Sequence, residues 1–185
     1  MLRTVEFAVQ AHAGQERRFS KEPFVCHPIR VAATIHDWGY PPYMVAASLL
    51  HDVVEDTEVT VVDIEKRSGY LVARLVGELT NYGDSWEERK RNAIRHMREE
   101  MSEDALIIKC ADRIDNLRST IVEVDITGEW PFRKASKDMH RWYAEEAAKV
   151  ALERLGEESR VTKDLIETVE LFIAHFSESE RGEKK

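Results

Sequence analysis

Cysteine is scarce in this chain: its 185 residues include two, Cys26 and Cys110, too few for a disulfide framework. No apolar run is long enough to span a bilayer, and no basic-then-apolar leader opens the sequence. These absences lead us to expect a soluble protein of a reducing, cytoplasmic compartment. Positive charge is also in short supply. Lys and Arg number 27 against 35 Asp and Glu, a net charge of −8, which argues against nucleic acid as a partner. An anionic ligand therefore needs a local basic patch. Period-2 alternation is missing; Val59, Val61 and Val62 are β-branched but too few for a strand. There is no internal repeat and no flexible linker. What is present is 43% apolar residues in a length that suits one core.

The apolar period is helical almost throughout. Val5, Ala8 and Val9 share a face with His12, and Gly14 closes that segment. Pro28 can open a helix that Gly39 stops. Met44 to Val54 is nearly all apolar and reads as one buried helix. Thr60 with Asp63 resembles a capping box, and so does Ser85 with Glu88. Further helices are expected over 71–79, 85–97 or 85–101, 102–121, 132–155 and 160–176, with loops at 81–85 and 128–131. The expectation is a single all-α domain over 1–176, followed by a charged, disordered tail over 177–185.

The run Leu49-Leu50-His51-Asp52-Val53-Val54-Glu55-Asp56-Thr57 stands out. In an unbroken helix its four polar residues fall within an arc of roughly 140°. Gathering an imidazole and three carboxylates on a buried face is costly unless a cation sits among them, and a divalent metal answers that cost. Asp112 ends the apolar stretch Leu106–Ala111, with Asn116 one turn beyond on the same face. His27, between Cys26 and Pro28, is expected in extended chain just before a helix. A second His-Asp pair, His36-Asp37, is followed by Trp38-Gly39-Tyr40-Pro41, which ends its helix at once. It reads as a helix C-terminus.

Four motifs occur in order: Ala11-His12-x-x-Gln15, Pro23-Phe24-x-x-His27-Pro28, Leu49 to Thr57, and Lys109-x-Ala111-Asp112-Arg113-x-x-Asn116-Leu117-Arg118. Over about residues 5–150 the chain resembles the (p)ppGpp hydrolase domain of the RelA/SpoT-homologue family, within the HD superfamily, and most of all its small single-domain alarmone hydrolases. At 185 residues it leaves no room for the synthetase domain of the long members. The resemblance implies an HD-type helical fold with a metal site between helices. It implies His27, His51, Asp52 and Asp112 as ligands of Mn²⁺, with Glu55 and Asp56 serving the attacking water. The implied reaction removes the 3′-pyrophosphate from ppGpp or pppGpp to give GDP or GTP. Asn116 would then contact the nucleotide, with Arg17, Arg18, Arg118 and Tyr143 as further substrate contacts. A different nucleotide substrate, or a regulator that binds without turnover, are the competing readings.

Several positions depart from the family pattern. Arg17-Arg18-Phe19 stands where an Arg-Lys pair is usual, and either arginine could stack on the guanine or hold a phosphate. Phe24 replaces Tyr, Asn81-Tyr82 follows Leu79-Thr80 where Lys is frequent, and Asp115 replaces the common His. Arg89, Lys90, Arg91, Lys21 and Arg113 could gather an anion, and Trp130 or Trp142 could stack on a base. Cysteine ligation of zinc is disfavoured, because Cys110 sits two residues from Asp112 and points about 160° away around a helix.

Overall fold

The computed structural model describes residues 2–18, 20–81, 83–131 and 134–182, without the side chains of 134–136 and 176–182. Phe19 and Tyr82, two of the departures noted above, lie outside the described residues. In chain order the helices are α1 (Leu2–Ala11), α2 (Cys26–Asp37), α3 (Pro42–Leu50), α4 (Val53–Asp56), α5 (Val61–Ser68), α6 (Tyr70–Leu79), α7 (Trp86–Glu99), α8 (Glu103–Thr127), α9 (Lys134–Leu155) and α10 (Arg160–Gly182). As expected, the described residues contain no strand beyond an isolated bridge, Glu16 with Pro23.

The organising element is α8. Every residue from Ala105 through Asp115 is buried, because α8 packs against α2, α3, α6, α9 and α10. A helix buried on all sides should be apolar all round. Lys109, Asp112, Arg113 and Asp115 break that rule, so the centre of the fold holds charge that must be compensated.

Four expectations about boundaries are corrected. The helix anticipated over 44–54 breaks at His51-Asp52, between α3 and α4. The Ser48 carbonyl, which an unbroken helix would offer to the Asp52 N–H, accepts a hydrogen bond from His51 Nδ1 at 2.8 Å. The next turn restarts with Asp56 N–H donating to the Asp52 carbonyl. His27 is not in extended chain: α2 begins at Cys26, after a turn in which the His27 N–H donates to the Phe24 carbonyl. And α8 runs past 121 to Thr127, where Gly128 supplies the left-handed conformation (φ 70°) that caps it. At the other end, α10 continues beyond the anticipated 176 to Gly182, since no breaker precedes that glycine; residues 183–185 lie outside the described residues.

The capping box read at Thr60 is present in full: Asp63 N–H donates to Thr60 Oγ1 and Thr60 N–H to Asp63 Oδ2. At Ser85 only half of it forms. Ser85 Oγ accepts from Glu88 N–H, while the Glu88 carboxylate takes the N–H of Asp84 instead. Thr60→Ala should therefore lower stability by about 1 kcal/mol, read as the shift in a urea unfolding midpoint. An unchanged midpoint would remove the box as a determinant of α5.

Candidate metal centre and its cleft

Three structural devices aim four side chains at one point: the first turn of α2 carries His27, the α3–α4 break carries His51 and Asp52, and α8 carries Asp112. His27 Nε2 lies 3.3 Å from Asp112 Oδ1 and 3.5 Å from Asp52 Oδ2. His51 Nε2 lies 3.2 Å from Asp52 Oδ1 and 3.8 Å from Asp112 Oδ1. Donor atoms of His27, His51 and Asp112 fall within 4.8 Å of one another, a grouping able to hold a metal ion. Asp52 adjoins it through the contacts just given. Neither cysteine belongs to the cluster, and burial, then the charge of Asp112, pushes the Cys110 thiol up to about 12.

The opposite edges of both imidazoles are already engaged. His51 Nδ1 meets the Ser48 carbonyl and His27 Nδ1 meets Asp115 Oδ2 at 2.7 Å. A carbonyl and a carboxylate only accept, so both Nδ1 atoms carry a proton, and each ring when neutral turns the lone pair of Nε2 inward. His51 Nε2 is buried without a hydrogen bond, a cost unless a cation sits before it. This donor set of two imidazoles and two carboxylates fits a divalent metal.

The charges argue the same way. Burial alone would lower the pKa of His27, but Asp112, Asp115 and Asp52 raise it. Burial likewise opposes His51, which Asp52 and Asp112 carry well above the ordinary value. Against burial, His51 holds Asp52 low and Lys109 holds Asp112 low. Without a cation the cluster balances itself with protons on the imidazoles, a place that a divalent ion could take.

Glu55 and Asp56 do not share the buried face inferred from the sequence. The break puts them at an exposed rim. Asn81 fixes Glu55, donating to Oε2 from its N–H (3.1 Å) and from Nδ2 (3.2 Å). Gln15 holds the Asp56 carbonyl (2.9 Å) and is itself held by His12 Nδ1 (2.8 Å). Partial burial, then repulsion from Asp52 and Glu55, pushes the Asp56 carboxyl up to about 6.

Beside this centre opens a cleft of about 820 Å³. Arg17, Arg18, Asn116 and Arg118 line it, together with Lys90, Arg113, Trp86 and His140. Arg17 Nη2 donates to Asn116 Oδ1 at 2.8 Å, and Asn116 Nδ2 donates to Asp112, so the cleft wall and the metal centre share a residue. Tyr143 does not line the cleft; it is 1% exposed and backs Arg113 and Lys90, which lie 4.2 and 4.9 Å from its ring centroid. Burial, then Arg113 and Lys90, lowers His140 to about 3, and its ring packs on Trp86 at 4.8 Å. Burial, then Arg113 and Lys109, lowers Lys90 to about 8. His36 and Asp37 are far more exposed, at 78% and 73% of their side chains, which lie 3.3 Å apart at the end of α2, as the helix-end reading anticipated.

Three contributors were missed or misread in the sequence: Lys109, Gln15 and Asp115. Lys109 Nζ sits 3.0 Å from Asp112 Oδ2, and its i, i+3 spacing was a usable signal. Gln15 was visible as part of a motif but had no role. Asp115 shows in the sequence only as a departure from the family pattern, yet it grips His27.

Residues 4–126 match a family model described as the HD domain. A Synechocystis protein named probable guanosine-3′,5′-bis(diphosphate) 3′-pyrophosphohydrolase is 39% identical over 120 residues, covering 61% of this chain but 16% of that protein. The long curated relatives are thus several times longer than the matched region. A Danio rerio guanosine-3′,5′-bis(diphosphate) 3′-pyrophosphohydrolase is 35% identical over 122 residues, 64% of this chain and 67% of its own length. A solved structure of a metazoan ortholog of SpoT that hydrolyzes ppGpp superposes with a TM-score of 0.78 at 28% identity, covering 92% of this chain and 93% of that one.

Two outcomes follow for the cluster. His51→Ala and Asp52→Asn should each lose metal by elemental analysis, while His36→Ala keeps it; a filled site in the first two would dismiss them as ligands. Because both imidazoles are raised, His51 well above the ordinary value, protons compete with the cation already on the alkaline side of neutral and more strongly as pH falls. Metal affinity should fall steadily as pH is lowered from 8 to 6, and a flat titration would contradict the assignment.

Proposed function

Because this chain belongs to the HD-domain family, we propose that it is a Mn²⁺-dependent hydrolase that removes the 3′-pyrophosphate from ppGpp or pppGpp. His27, His51, Asp52 and Asp112 hold the ion. The observation that carries the reading is the juxtaposition of this cluster with a basic cleft in an acidic chain. Net charge is −8, yet Arg17, Arg18, Lys90, Arg113 and Arg118 line one cavity. Arg113 Nε is buried there without a hydrogen bond, which suits an arriving anion. The relatives named for this reaction support the choice of substrate, as does the SpoT ortholog's activity on ppGpp. A cytoplasmic setting goes with the reading: both cysteines are free, and no helix among the described residues is long and apolar enough to cross a membrane.

The bound ion would polarise a phosphate oxygen and ease deprotonation of water. The residues do the rest. Asn116, fixed between Arg17 and Asp112, meets the sugar or the phosphates. Arg17 and Arg18 serve the base or a phosphate, and Lys90 and Arg113 receive phosphate charge. Tyr143 acts from behind them, holding both cations through its ring face. Glu55, held by Asn81, and Asp56 orient the attacking water and accept its proton. A new P–O bond forms at the phosphorus joined to the 3′ oxygen, and that P–O3′ bond breaks. The 3′ oxygen takes up a proton, and pyrophosphate leaves with GDP or GTP as the other product.

The test is a nucleotide panel with Mn²⁺ and the pure protein, with ppGpp and pppGpp expected to be the best substrates. No pyrophosphate release from either, across pH and metals, would sink the proposal; a better substrate elsewhere in the panel would redirect it. Glu55→Gln should keep metal and nucleotide binding while lowering the rate by roughly 10²-fold. A near-normal rate would shift the proton to Asp56.

A further inference from the structure

The two proposed imidazole ligands are oriented by unlike devices. His51 leans on a main-chain carbonyl, which substitution cannot remove. His27 leans on a side chain. Its Nδ1 donates to Asp115 Oδ2 at 2.7 Å, and Asp115 is buried on α8, three residues after Asp112. Asp115 is in turn gripped by Arg30, whose Nε donates to Oδ1 at 2.6 Å and whose Nη2 reaches Oδ2 at 3.2 Å. The far side of the same guanidinium is paired with Glu22 at 2.8 and 3.0 Å. A chain of charge-assisted contacts thus runs from Glu22 through Arg30 and Asp115 to His27.

We propose that Asp115 is a positioning residue for the metal centre: it sets the tautomer and ring angle of His27, and Arg30 with Glu22 holds it in place. The proposal rests on the reading of His27 as a ligand. Three physical points support it. A carboxylate at Nδ1 makes the opposite nitrogen a better donor than a carbonyl does. Arg30 offsets the charge of Asp115, which would otherwise add a third carboxylate beside Asp52 and Asp112. And with both its oxygens turned to His27 and Arg30, Asp115 presents none to the cation, so it acts through His27 alone. Glu22 also accepts, through its carbonyl, the N–H of Arg17 at 2.9 Å. The loop that carries Arg17 into the cleft is therefore tied to the same chain of contacts.

The decisive experiment measures Mn²⁺ affinity of the full chain by electron paramagnetic resonance of the free ion, with thermal unfolding as a check on folding. Asp115→Asn should weaken Mn²⁺ binding by about 10- to 100-fold, with kcat recovering at saturating Mn²⁺ and the nucleotide KM little changed. Asp115→Glu should restore part of the affinity. Arg30→Met, which leaves the Asp115–His27 bond but loosens it, should give a smaller loss. A folded Asp115→Asn protein with wild-type affinity, even one of lowered melting temperature, overturns the proposal. If Asp115→Asn does not fold, unchanged affinity in Arg30→Met overturns it instead. His51→Ala separates the two levels: if that variant keeps wild-type affinity the metal-site reading itself fails, whereas loss there with no effect at Asp115 condemns the positioning role alone.

Discussion

Four ionisable side chains are crowded at the centre of this fold, and their mutual electrostatics constrain everything around them. Asp52 and Asp112 cannot be desolvated side by side unless positive charge lies between them. Lys109, buried at 3.0 Å from Asp112, supplies part of it from behind. The remainder must come from protons on His27 and His51 or from a cation in front. Each imidazole is anchored by its Nδ1 edge, so the Nε2 edges have no freedom to turn away. A site built this way is preorganised before any ion arrives, which is the condition for both affinity and selective geometry.

The same constraint explains the local fold. A continuous helix from Pro42 to Asp56 would have kept the Ser48 carbonyl for the backbone; surrendering it to His51 breaks the helix and separates two pairs of polar side chains. His51 and Asp52 turn into the interior, while Glu55 and Asp56 remain on the rim, where Asn81 and Gln15 hold them. The proposed ligands and the proposed water-handling groups come from one short sequence yet occupy two depths. Asn116 then joins depth to surface, because it touches Asp112 on one side and Arg17 on the other.

Much of this was legible in the sequence, and the limits have physical causes. Helical periodicity located the elements, and polar residues interrupting apolar runs located His51, Asp52 and Asp112. The surroundings of the two His-Asp pairs separated His51-Asp52 from the exposed His36-Asp37. The helix break was not legible, because it arises from a side chain competing for a main-chain carbonyl, which leaves no mark on hydrophobic spacing. The helical placement of His27 was missed because Pro28 permits a helix to begin at it or just before it, and α2 begins at Cys26. Asp115 was seen only as a change from the family pattern, since its partners His27 and Arg30 lie 88 and 85 positions away in sequence. Tyr143, a substrate contact by the family resemblance, lies beneath Arg113 and Lys90; burial depth is set by tertiary packing and not by local pattern.

The central claim is that His27, His51, Asp52 and Asp112 together hold one divalent ion. Crystals grown with Mn²⁺ and measured at its absorption edge address it directly. The account predicts a single strong anomalous peak within bonding distance of both Nε2 atoms and of a carboxylate oxygen from each aspartate. A peak at His36-Asp37, ligation through Nδ1, or no peak in this cluster at saturating Mn²⁺ would contradict it.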